Sequence, residues 1–270
     1  MMRLLLAMLG IATALGFAAP ARAITTTPFG PTGEGGDVNG QTLTIGAGGR
    51  VHELDAFVSV GGGPANQLSV DGVPAGLALS FSASLSADAT DLTLTYALRN
   101  VSGGDLFDVS VISFVDAEID EVFNSFFNEF AATDGFLASG QNFEVDEPGF
   151  SFGDIFDNAL AGALDGTNAV DETAPEDVSM ALQLSIAQLG LDETFVVRVM
   201  LSEDGDRLGT FAIAHGDSDP QSTTVITYSA APDVRGAPTS PIPEPNGALA
   251  LLAAGVVLAW IGRESSLRRA

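Results

Sequence analysis

The chain has 270 residues and no cysteine, and its 35 acidic residues outnumber ten basic ones for a formal charge of −25. The lack of cysteine excludes a disulfide framework, thiolate chemistry and Cys-ligated metals. The acidity excludes a nucleic-acid-binding surface, because its field repels phosphates. Apolar residues make up 46% of the chain, enough for a real core.

Every basic residue is arginine. Arg3 and Arg22 stand near the start, and Arg263, Arg268 and Arg269 at the end. Residues 24–245 hold 34 acids against five arginines (Arg50, Arg99, Arg198, Arg207 and Arg235), a formal charge of −29. Such a segment attracts divalent cations or basic partners.

Residues 1–23 have a positive start at Arg3 and an apolar run from Leu4 to Ala19. Ala21-Arg22-Ala23 then places small residues at −3 and −1 of a cleavage site. This pattern predicts a secretory signal peptide cut after Ala23. Short strands are expected next, over Gln41–Ile45, Val51–Val60 and Gln67–Val70. Leu77, Leu79, Phe81, Ala83 and Leu85 alternate with small or polar residues, and so do Leu92, Leu94, Tyr96 and Leu98. A period of two is the mark of a strand with one buried face. A turn at Asn100–Gly104 leads into a strand over Leu106–Val115. The pair of strands around that turn is similar, in a general way, to those of immunoglobulin-like surface modules.

From Asp116 to Glu176 the rhythm breaks. This stretch of about 60 residues without clear strands reads as an acidic, Phe-rich insertion. A short helix is expected at Ile155–Leu164. The phenylalanines either pack over one end of the fold or meet a partner. Strand patterns resume at Val178–Ile186 and Phe195–Leu201. Glu203-Asp204-Gly205-Asp206 is a hairpin-type turn, followed by strands over Gly209–His215 and Thr224–Ser229. Strands without intervening helices predict an all-β, antiparallel β-sandwich, immunoglobulin-like or jelly-roll-like.

Residues 236–246 are rich in proline and read as an extended linker. The uncharged stretch 247–262 spans about 24 Å as a helix, at roughly 1.5 Å per residue. That is slightly short of a hydrocarbon core of about 30 Å. Trp260 marks an interface, and the basic end 263–270 is expected in the cytoplasm by the positive-inside rule. A single transmembrane helix therefore holds an exported domain, 24–235, outside the cytoplasm.

Pro243-Glu244-Pro245, one hydrophobic span and the cluster Arg263, Arg268 and Arg269 resemble the PEP-CTERM sorting signal. The resemblance covers about the last thirty residues. It implies an exosortase as partner, which cuts near the motif. It also implies a Gram-negative bacterium that makes exopolysaccharide, with the domain passing from the inner membrane to the cell surface or extracellular matrix. The resemblance carries an address and no activity.

The chemistry is dominated by carboxylates. Asp116, Glu118 and Asp120 alternate, so a strand places them on one face. Three like charges there repel unless a cation or solvent intervenes, and calcium takes six to eight oxygens. Asp146, Glu147 and Asp154 are the residues expected to complete such a site, with calcium the one candidate cofactor. Asp165 to Glu176 has an EF-hand's end acids but Val170 where glycine is required. The same acids also suit a glycoside hydrolase pair, although the one tryptophan, a common sugar platform, lies in the tail. His52 and His215 read as strand polar residues or, with acids, as zinc ligands. No Gly-x-Ser-x-Gly elbow or phosphate loop is present. The sequence thus predicts a non-enzymatic surface or matrix protein, with exopolysaccharide and divalent cations as partners. An extracytoplasmic polysaccharide-acting enzyme is the alternative.

Overall fold

The computed structural model describes residues 25–26, 33–34, 43–45, 49–119, 127–149 and 152–236. Their strands form two antiparallel sheets. The first has the order β1 (Thr25–Thr26), β3 (Leu43–Ile45), β4 (Gly49–Ser59), β8 (Leu106–Glu118), β11 (Ser179–Leu189), β10 (Gln141–Asp146). Two short strands, β2 (Gly33–Glu34) and β5 (Asn66–Gln67), also pair with β4. The second sheet has the order β6 (Leu77–Leu85), β7 (Asp91–Asn100), β12 (Thr194–Ser202), β14 (Ile226–Arg235), β13 (Phe211–Asp217), β9 (Glu129–Gly135). Among the described residues there is one helix, α1 (Ile155–Ala161).

The alternation that predicted the strands is what packs the sheets together. In β7, Leu92, Leu94, Tyr96 and Leu98 are buried while the residues between them are wholly or partly exposed. With Phe195, Val197, Val199 and Leu201 of β12 they meet Val109, Val111 and Val115 of β8 and Met180, Leu182 and Leu184 of β11. Tyr228 is fully buried, and its hydroxyl donates to the Ser113 carbonyl across the core at 2.9 Å. Phe143 of β10 stacks at a tilt on Phe211 of β13, ring centroids 4.9 Å apart.

The outer face of the first sheet is covered as well. Phe57, Ile112, Phe114 and Ala181 point outward and are roofed by Ile155, Phe156, Ala159 and Leu160 of α1 and by Leu164. The Phe156 ring stands edge-on to Phe57 and to Phe114, at 5.4 and 5.7 Å, the T-shaped arrangement that ring quadrupoles favour. α1 ends at Gly162, whose φ of 79° lets the chain turn back. A Cβ there would lie 2.6 Å from the Gly63 carbonyl oxygen.

Three sequence expectations change. The segment from Asp116 to Glu176 is not strandless: it supplies the edge strands β9 and β10, with α1 between β10 and β11. The strand expected at Gln67–Val70 stops at Gln67, because Val70 and Asp71 N–H both turn back to the Gln67 carbonyl. The phenylalanines divide: Phe143 and Phe156 pack inward, whereas Phe136 and Phe152 are exposed. No helix among the described residues is long and apolar enough to cross a membrane. The predicted span 247–262, the cleavage site at Ala21 and Ala23, the Pro243-Glu244-Pro245 motif and the terminal arginines lie outside the described residues.

Candidate functional site

One end of the molecule gathers the acids. The β4–β8–β11–β10 register puts Glu53, Asp116, Ser179 and Asp146 in one row on the outer face of the first sheet. The Asp116 and Asp146 backbones are thus two strands apart, about 10 Å at the usual strand spacing. Asp146 is also engaged elsewhere: its carboxylate accepts the N–H groups of Glu147 (2.9 Å) and Asp154 (2.8 Å). Asp116 and Glu118 are both buried. Of the six carboxylates singled out in the sequence, Asp116, Glu118, Asp146 and Glu147 belong, among the described residues, to neither group of three acids whose ligand atoms lie within 4.8 Å of one another. Asp120, the sixth, lies outside the described residues.

Burial pushes the Asp116 carboxyl well above its ordinary range, and the charges of Asp177, Glu53 and Glu129 push in the same direction. Burial, with Glu129 and Glu147 nearby, pushes Asp177 up to about 6. Glu147 is raised by burial and by Glu176 and Asp146. Glu129 comes from the second sheet and is fully buried. Its carboxylate accepts the Ile119 N–H at 2.9 Å and meets His215 Nε2 at 2.9 Å. His215, one of the two zinc candidates, is thus an internal partner of a carboxylate. His52 lies in β4. Asp116 Oδ1, Asp177 Oδ1, Ser179 Oγ and His215 Nδ1 are buried without hydrogen-bond partners. A buried polar atom left in that state costs roughly 1–3 kcal/mol, and more when it is charged.

A second group sits under α1. Glu144 is fully buried, and its two carboxylate oxygens accept from Asn158 Nδ2 (2.9 Å) and the Asp165 N–H (3.0 Å). Burial still pushes its carboxyl up to about 7, with the Asp165 and Asp154 charges adding to the rise. Asp154 occupies the N-cap position of α1 but makes no side-chain cap bond. Ligand atoms of Glu144, Asp154 and Asp165 lie within 4.8 Å of one another, as do those of Asp91, Asp204 and Asp206. Neither grouping was legible in the sequence, since its members are spread over strands and loops; only Asp154 was a candidate.

A groove of about 500 Å³ opens on the first sheet, lined by Ser59, Ser110, Gln183, Ser185 and glycine backbone, with Asp108 its single carboxylate. The paired carboxylates of a glycosidase are not found in it.

No family model matches the chain, and neither a curated protein nor a solved structure matches it.

Proposed function

We propose that this is an exported, non-enzymatic surface or matrix protein. It would be delivered by its signal peptide, held by the C-terminal span and processed by an exosortase. Its sandwich, of immunoglobulin-like or jelly-roll-like type, would associate with acidic exopolysaccharide through divalent cations. The observation that carries the reading is the acidic end: Asp116, Asp177 and Glu129 face one another in a largely dry setting. Repulsion of that kind is relieved either by protons or by a cation of higher charge. Calcium held where this end meets water, at the part-exposed Asp177 and Glu147, would offer its remaining coordination positions to carboxylates of a polymer.

Two measurements test it. Mass spectrometry of cell and medium fractions should find chains beginning at Ile24 and ending near Pro245. Intact tails on most molecules would instead point to a permanent anchor. Retention of the released protein on an acidic polysaccharide column should require calcium and be reversed by EDTA. Equal retention with and without EDTA would overturn the cation-bridging role.

A further inference from the structure

Residues 203–206 carry a hairpin-type sequence signal, but they close no hairpin: β12 does not pair with the following strand β13, because β14 lies between them. Ser202 of β12 lies opposite Asp91 of β7, so both point from the outer face of the second sheet at its acidic end. The chain then turns through Glu203-Asp204-Gly205-Asp206, with Gly205 at φ 90°. The Glu203 N–H donates to the Thr90 carbonyl at 2.9 Å, fastening this turn to the β6–β7 connection. Asp204 is held by three donors: Ser202 Oγ (2.9 Å), the Asp206 N–H (3.2 Å) and Thr90 Oγ1 (3.0 Å).

Asp91 is different. Its Oδ1 is closed off from solvent and has no hydrogen-bond partner. Ligand atoms of Asp91, Asp204 and Asp206 nevertheless lie within 4.8 Å of one another. Among the described residues, the ion pairs of Arg99, Arg207, Arg235 and His215 go to Asp192, Asp134, Asp233 and Glu129, and to none of these three. Three carboxylates this close, one of them with a shielded and unsatisfied oxygen, repel one another, and a cation between them would relieve that repulsion and satisfy the oxygen.

We infer that Asp91, Asp204 and Asp206 form a calcium-class divalent cation site that ties the β6–β7 and β12–β13 connections together. The donor set is all oxygen, which suits a hard cation rather than zinc or copper. Oxygens 2.3–2.6 Å from a calcium ion stand up to roughly 5 Å apart across it, and the three ligand atoms fall within that limit. The hydrogen bonds to Asp204 fix one ligand in place while leaving one acceptor site, on Oδ2, for the metal. The site is separate from the buried carboxylates on which the proposed function leans, and it does not depend on where the chain is delivered.

The test is calorimetric titration of CaCl2 into the EDTA-stripped full-length chain in mild detergent. It compares the wild type with Asp204→Asn, Asp206→Asn and Asp157→Asn, the last an exposed acid of α1. Asp204 and Asp206 are exposed, and circular dichroism checks that each variant keeps its sheet content. The wild type should show a binding event that Asp204→Asn and Asp206→Asn each weaken by about tenfold or more, as loss of a charged ligand does. Asp157→Asn should leave it unchanged. An isotherm without binding heat, or one that these two substitutions do not alter, overturns the site. Loss of calcium-dependent polysaccharide retention with this isotherm intact would count against the proposed function alone.

Discussion

Replacing Glu144 by glutamine isolates the energetic cost of one buried carboxylate. Glu144 is held under α1 with its carboxyl raised from an ordinary 4.5 to about 7. The folded protein therefore keeps a proton that the unfolded chain releases between those values. The stability this provides is complete below pH 4.5 and is lost as pH rises through 7, at up to about 1.4 kcal/mol per pH unit. The full shift corresponds to roughly 3 kcal/mol. Glutamine is neutral and nearly isosteric, so Glu144→Gln removes that slope. Its Oε1 still accepts from Asn158, but its Nε2 cannot accept the Asp165 N–H, which costs about 1–3 kcal/mol at every pH. The variant should therefore be less stable than the wild type at pH 4.5, and equal to it or better at pH 8. Urea unfolding midpoints at half-unit steps from pH 4.5 to 8, with EDTA present, read the difference directly. A wild-type-minus-variant difference that stays flat over this range would refute the assignment of a raised carboxyl to Glu144.

Other substitutions probe the framework. His215→Ala leaves the buried Glu129 charge with only the Ile119 N–H and should cost about 3–5 kcal/mol by urea denaturation. Phe114→Ala removes the centre of the aromatic cluster under α1 and should cost about 3–5 kcal/mol, with faster proteolysis around residues 152–166. Tyr228→Phe deletes one core-spanning hydrogen bond and should cost about 0.5–1.5 kcal/mol in the same assay. Gly135→Ala places a Cβ against the Thr210 carbonyl oxygen on a backbone at φ 94°, so the β9–β13 edge should open and its amides should exchange faster with deuterium.

What the sequence revealed follows from which faces meet water. The β6–β7 pair was legible because one face is solvated and the hydrophobic period stays at two. β8 was foreseen only as far as Val115. Its residues 109–118 are buried on both faces, so polar Ser113, Asp116 and Glu118 occupy interior positions and break the pattern. β9 escaped notice because Glu-Phe-Ala-Ala-Thr-Asp-Gly has little apolar alternation and owes its extended form to pairing with β13. β10 places Glu144 in a buried position, where a hydrophobic pattern has no entry for it. For the acidic end, Asp116 was a candidate from its spacing. Its neighbours Asp177 and Glu129 are brought to it by long-range pairing, as Asp91 is brought to Asp204 across 113 positions of chain. Alternation within a strand carries no record of such pairings.

The direction of the last strand has a bearing on how the molecule would stand on a membrane. β14 starts at Ile226, whose register partner is His215 at the acidic end, and finishes at Arg235, opposite Thr194 at the far end. Ten extended residues cover about 30 Å, at roughly 3.3 Å each, so β14 ends on the opposite side of the sheet from the buried carboxylates Asp116 and Glu129. In the tethered protein proposed above, attachment at that end would set the Arg99–Asp192 and Arg235–Asp233 pairs toward the lipid and turn the end with Asp116 and Glu129 outward, where the ions and polymers of the surroundings arrive first.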